Sequence, residues 1–212
     1  MTTQTSTQTD GTRVGYDDGS WHGGNGNFFL SSGASIGVAT SNAISFDIGV
    51  DVPAGSTVTA AYFRPYLTGT GTAVAKMRVA CEAANPTGNT TWGSGHRPVG
   101  ASFGSVLTAA SDWGGIPPAY NYGPSDTQSL DIHTIIQALV NTYSGLQVGD
   151  IVNLGLQHDG SGFIQLGDPN SSGGLQSPQL IITWTPPAGG VIAPIGSIMT
   201  GGMQELLGGM RS

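Results

Sequence analysis

The chain is poor in cations, has one cysteine and lacks any long apolar run, and each scarcity removes a class of function. Six Lys plus Arg stand against 13 Asp plus Glu, a formal net charge of −7. Nucleic-acid binders use clustered cations to release counterions from phosphate, and so few cannot form such a patch. The same shortage disfavours anionic lipid surfaces. With Cys81 as the single cysteine, no intrachain disulfide can form, so the fold depends on its core or on partners. No stretch is apolar for long enough to span a bilayer. Residues 1–8 are Thr/Gln/Ser-rich, with neither the cation nor the apolar segment of a signal peptide. The expectation is synthesis in a host cytoplasm.

What the sequence does contain is β-structure vocabulary. Charged residues are only 9% of the chain, hydrophobic residues 38%, and there are 35 glycines, a texture of short strands joined by many tight turns. At 212 residues this suits one β-sandwich or barrel. Residues 1–10 read as a flexible polar N-terminal arm. Strand patterns then recur over residues 42–48, 57–64, 72–81, 151–156, 162–166 and 179–184. In residues 72–81, Ala75, Met77, Val79 and Cys81 are the better core face, and Pro65 points to an edge or a bulge. One helix is predicted after Asp131, which can accept a first-turn N–H. Ile132, Ile135, Ile136, Leu139 and Val140 give it a single apolar stripe, and Gly145 ends it.

Candidate chemistry is sparse. The four histidines, His22, His96, His133 and His158, lie at no metal-ligand spacing with one another or with Cys81. No nucleophile elbow or other catalytic constellation occurs, so no enzyme activity is expected. Asp17, Asp18, Asp159 and Asp168 lie in Gly- or Asn-rich segments that could offer oxygens to calcium, although the same residues are ordinary turn formers. Otherwise no cofactor is implied. Residues 82–129 form a long stretch with few hydrophobes, the expected recognition surface. Trp21, Trp92, Trp113, Tyr120 and Tyr122 are candidates to stack on sugar rings, with packing in the core or a subunit interface as the alternative.

After Trp184 the composition changes. Pro186 and Pro187 open a linker, and beyond it Ile192, Ile195, Met199, Met203, Leu206 and Met210 recur at helical spacing. Five interspersed glycines weaken such a helix by about 1 kcal/mol each relative to Ala. Residues 186–212 therefore read as a linker and an arm that orders against a partner or a second copy of the chain. Met suits an irregular groove there.

Four segments, in order, resemble the DNRLRE-type jelly-roll modules, relatives of carbohydrate-binding modules. They are Ile44-Ser-Phe46-Asp47-Ile48; Pro53-Ala54-Gly55 through Val58, Ala61, Phe63 and Tyr66; Leu130-Asp131-Ile132-His133 with Ile136-Gln137-Ala138-Leu139; and Ser177-Pro178-Gln179-Leu180-Ile181-Ile182-Thr183-Trp184. The resemblance implies an all-β jelly-roll sandwich with one short helix over residues 11–185. The family's Trp-rich loop is reduced here to Asn89-Thr90-Thr91-Trp92. Together these readings predict a non-enzymatic bacteriophage virion surface protein, a capsid decoration or tail/fibre-associated module. Its partners would be other virion proteins, further copies of itself or cell-surface glycans. A carbohydrate-binding adhesin is the alternative.

Overall fold

The computed structural model describes residues 1–7, 13–23, 28–31, 35–37, 41–65, 67–70, 76–106, 110–112, 130–158, 163–166 and 177–188. Numbering strands in chain order, one sheet runs β1 (Thr2–Thr7), β16 (Gln179–Thr185), β7 (Thr57–Arg64), β12 (Leu130–Asp131). The larger sheet runs β10 (Phe103–Val106), β9 (Lys76–Glu82), β14 (Ile151–His158), β5 (Ser41–Asp47), β2 (Val14–Asp17), β3 (Trp21–Gly23), with β11 (Ala110–Asp112) also on β9. Two small sheets complete it: β13 (Gly145–Leu146) with β6 (Val52–Pro53), and β4 (Phe28–Ser31), β15 (Phe163–Leu166), β8 (Leu67–Thr70). The pairings in both large sheets are antiparallel. Among the described residues the chain is mostly β with one short helix, and its two large sheets form a β-sandwich.

Period-2 alternation builds the core between these sheets. Val58, Ala61 and Phe63 of β7 and Leu180, Ile182 and Trp184 of β16 come from one side. Ile44 and Phe46 of β5, Val79 and Cys81 of β9, and Val152, Leu154 and Leu156 of β14 come from the other. Phe46 and Phe63 meet edge-on with ring centroids 6.1 Å apart, a favoured aromatic geometry. Val79 and Cys81 are thus on the core face the alternation predicts.

The helix α1 (His133–Tyr143) buries Ile135, Ile136, Leu139 and Val140, and Ile132 just before it is also fully buried. Asp131 accepts the His133 backbone N–H at 3.0 Å, although the cap position itself is Ile132, one residue later. The end differs slightly. Ser144, at φ 60°, is the left-handed residue and donates its N–H to the Val140 carbonyl, while Gly145 already opens β13. Gly145 is required there, because a Cβ would sit 2.6 Å from the Val52 carbonyl oxygen.

Three expectations need correction. Thr2–Thr7, read as part of a flexible arm, is strand β1, paired residue for residue with β16 from Thr2 opposite Trp184 to Thr7 opposite Gln179. Polar composition misled because only Gln4 is buried; its side-chain oxygen accepts the N–H groups of Gly49 and Val50 at 3.1 and 2.9 Å. Pro65 is neither a bulge nor an edge residue but follows the end of β7 at Arg64. Finally β5, whose alternation of apolar and polar residues over 42–48 is that of a half-buried strand, is buried from Ser41 through Phe46, because the larger sheet is covered on its outer side too.

Candidate functional site

The cover on that outer face is the described part of the long stretch after β9. It can lie close because the sheet offers small side chains there: Gly15, Ala43, Gly155 and Ala80 are successive cross-strand partners over four strands. The Phe103 ring and Ile36 fill the space over Gly155, where a Cβ would come within 2.8 Å of Phe103. Trp92 is 2% exposed, donates its backbone N–H to Ser45 Oγ at 2.9 Å and its indole N–H to the Leu154 carbonyl at 3.2 Å. Its ring packs 4.6 Å from His96 and 6.0 Å from Phe103 by centroids.

Beside Trp92 lies a polar cluster. Glu82, 7% exposed, accepts hydrogen bonds from Asn89 and Asn153 at 2.9 Å each and from His96 Nε2 at 2.7 Å. The other His96 nitrogen, Nδ1, faces the Thr90 carbonyl at 2.8 Å, and Asn153 also donates to that carbonyl at 2.8 Å. This network ties the 89–96 segment to β9 and β14. A second tie is longer in sequence. Asp17, fully buried, receives Arg97 Nη2 at 2.7 Å on one oxygen and Arg97 Nε at 3.0 Å on the other. The Gly19 and Val99 N–H groups also donate to it, at 3.0 and 3.2 Å. Burial alone would raise the Asp17 pKa, but the guanidinium and the two N–H donors outweigh it and hold the carboxyl below its ordinary 3.8.

Two surface features remain. At the β3 end of the large sheet, cross-strand partners Tyr16 and His22 stack with centroids 4.5 Å apart and planes 15° from parallel. Asp18 holds His22 Nε2 at 2.9 Å, and Trp21, the preceding residue of β3, is half-buried on the opposite face. At the other end, a cleft of about 230 Å³ opens between α1 and the end of β9, lined by Cys81, Glu82, Ala83, Ile135, Ala138, Leu139, Thr142 and Tyr143. The Tyr143 hydroxyl donates to the Ala83 carbonyl at its edge. Burial and the Glu82 charge push the Cys81 thiol up to about 12.

Set against these positions, the predicted site residues separate. Trp92 offers no ring face to a sugar; the enclosed indole is a core residue, the alternative reading for it. Trp21 stays at the surface. Trp113, Tyr120 and Tyr122 lie outside the described residues. Asp17 is corrected as a cation ligand, since its oxygens are committed to Arg97 and two N–H groups, and the guanidinium stands where a metal would. Asp18 is 49% exposed and paired with His22. Asp159 and Asp168, and the arm residues Ile192, Ile195, Met199, Met203, Leu206 and Met210, fall outside the described residues. Among the described residues, no group of three His, Cys, Asp or Glu side chains is placed to hold a metal. Sequence reasoning missed Glu82, His96 and Arg97 as a set. Only a buried carboxylate's need for partners hints at them, and nothing local in the sequence names those partners. No protein-family model matches the chain, and neither does any curated protein.

Proposed function

We propose that the chain is a non-enzymatic structural protein of a bacteriophage-type virion, a capsid decoration or tail/fibre-associated module. A jelly-roll form of the sandwich, as the four-segment resemblance implies, faces outward, and the C-terminal arm joins the larger assembly. One observation carries this reading. The described core ends with Trp184 on β16, and beyond it the sequence continues through a Pro-Pro linker into six regularly spaced large apolar residues. Burying each of these on a partner contributes roughly 1.5–3 kcal/mol, enough in sum to offset the cost of ordering a glycine-rich segment. The buried carboxylates Asp17 and Glu82, with their partners Arg97 and His96, hold the cover to the sheet.

The test is incorporation into particles. The full chain with Met203→Asp and Leu206→Asp should fold as before, by circular dichroism, and fail to co-purify with assembled virions. Unchanged incorporation would overturn the proposal. A second reading, a glycan-binding adhesin, is favoured by the Tyr16–His22 stack beside the Asp18 carboxylate, with the half-buried Trp21 one residue away on the opposite face of β3. Binding on a glycan array that disappears with Trp21→Ala would support it, and silence across a broad array would count against it.

A further inference from the structure

The cleft between α1 and β9 is an apolar socket at the same end of the molecule from which the chain leaves the fold. Its walls are Ile135, Ala138 and Leu139 of the helix and Cys81 and Ala83 of the strand end, with Glu82, Tyr143 and the exposed Thr142 supplying its polar rim. At about 230 Å³ it exceeds the roughly 150 Å³ that suffices for a benzene-sized apolar guest. The small side chains of Ala83 and Ala138 leave it open.

The exit of the chain is placed by Pro187, and the turn it lies over is itself tied to the helix. Pro187 lies over the β6–β7 turn, where a Cβ added to Gly55 would be 3.5 Å from the proline Cβ. The next residue of that turn, Ser56, accepts Gln137 Nε2 of α1 through its carbonyl at 3.1 Å, and Gln137 Oε1 accepts the Val58 N–H at 2.7 Å. The chain therefore leaves beside the Gln137 flank of the helix. At 3.6 residues per turn, Ala138 and Thr142 lie only about 100° and 140° around the helix from Gln137. Crossing the solvent side of the helix to the cleft is a path of about one helix diameter, roughly 10–12 Å. An extended chain covers at most about 3.3–3.6 Å per residue. Ile192 lies four residues beyond Ala188 and Ile195 seven, so both can span the gap. Val191 comes one residue earlier, but Ile192 and Ile195 are the first members of the regularly spaced seam.

We propose that the cleft is the socket for the root of the arm of the same chain, receiving Ile192 or Ile195. The more distal seam, Met199, Met203, Leu206 and Met210, is then left for the partner. This deepens the docking reading above and rests on it in one respect, that the arm exists to engage a partner; the socket gives the arm a defined starting direction. An arm pinned at its root also searches less space before it engages, which lowers the ordering cost of docking.

The experiment places one thiol at the rim of the socket and one on the arm of the full chain. Thr142→Cys combined with Ile195→Cys is oxidised, and the products are resolved on a non-reducing gel with peptide mass mapping. The expected result is a disulfide within one chain, in yield several-fold above a Thr142→Cys, Met210→Cys control. Adding Ala138→Trp, which fills the socket, should bring the yield down to that control. A yield no greater than the control, or one unchanged by Ala138→Trp, overturns the proposal. A disulfide joining two chains also overturns it and assigns the socket to the arm of a second copy. None of these results bears on incorporation with Met203→Asp and Leu206→Asp, so failure of the socket and failure of distal docking are separately visible.

Discussion

Asp17 shows how much of this molecule's specificity rests on single long-range pairs. Its carboxylate is fully buried and takes four donors, two of them from an Arg97 that is 35% exposed. Removing the guanidinium leaves a buried anion with only two N–H partners. Arg97→Met should therefore lower unfolding free energy by about 1–3 kcal/mol, less than for a fully enclosed pair because solvent reaches the arginine. The pH dependence has a definite sign. The folded-state pKa is depressed, so the stabilisation is complete above the ordinary 3.8 and is lost as pH falls through the lower folded value. Urea melts from pH 6 to pH 2 should show this acid loss in the parent protein and a shallower one in Arg97→Met; equal slopes would refute the assignment. Gly15 is a second single-residue constraint. An added Cβ would sit 2.1 Å from the His22 carbonyl oxygen, so Gly15→Ala should separate β3 from β2. Faster amide exchange at Trp21–Gly23, with the core strands unchanged, is the expected readout.

At the scale of elements, the strand with clean alternation and the helix with one apolar stripe were legible, because local period and burial agreed in β16 and α1. By contrast, a bulge breaks the period in β7 and the outer cover buries both faces of β9. The failures share a physical cause. Thr2–Thr7 has no apolar pattern because an edge strand can be held by backbone hydrogen bonds plus one buried side chain, here Gln4. β5 looked half-exposed because its Ala43 and Ser45 are covered by a segment about fifty residues later in the chain, beyond the reach of any local pattern. The described part of that segment packs on the sheet, held by the Trp92 indole, the Glu82 cluster and the Asp17–Arg97 pair. Trp92→Ala should cost about 3–5 kcal/mol, the range for emptying a large buried aromatic site. A loss below about 1 kcal/mol would mean that the cover is only loosely attached. Of the candidate site residues, those whose role depends on exposure were least legible. Trp21 and Trp92 sit in similar glycine-rich settings, yet only the second is enclosed, with its indole N–H on the Leu154 carbonyl.

The whole molecule places its one thiol and its cover on opposite sides of the same sheet, which makes its cooperativity measurable. Cys81 points into the core between the sheets and Trp92 packs on the outer face, with β9 and β14 between them. The thiol is 5% exposed and pushed up to about 12 by burial and the neighbouring Glu82 charge, so it is both shielded and poor in reactive thiolate at neutral pH. A disulfide reagent should leave it unmodified under native conditions and label it in urea. If sandwich and cover are one cooperative unit, labelling of Cys81 and amide exchange across residues 89–103 should share one free energy of opening. The Glu82 network predicts that they do, because the carboxylate that receives His96 and Asn89 from the cover belongs to the residue after Cys81 on β9. Exchange in 89–103 at a clearly lower free energy, with Cys81 still protected, would instead mark the cover as a separate layer that opens over an intact sandwich.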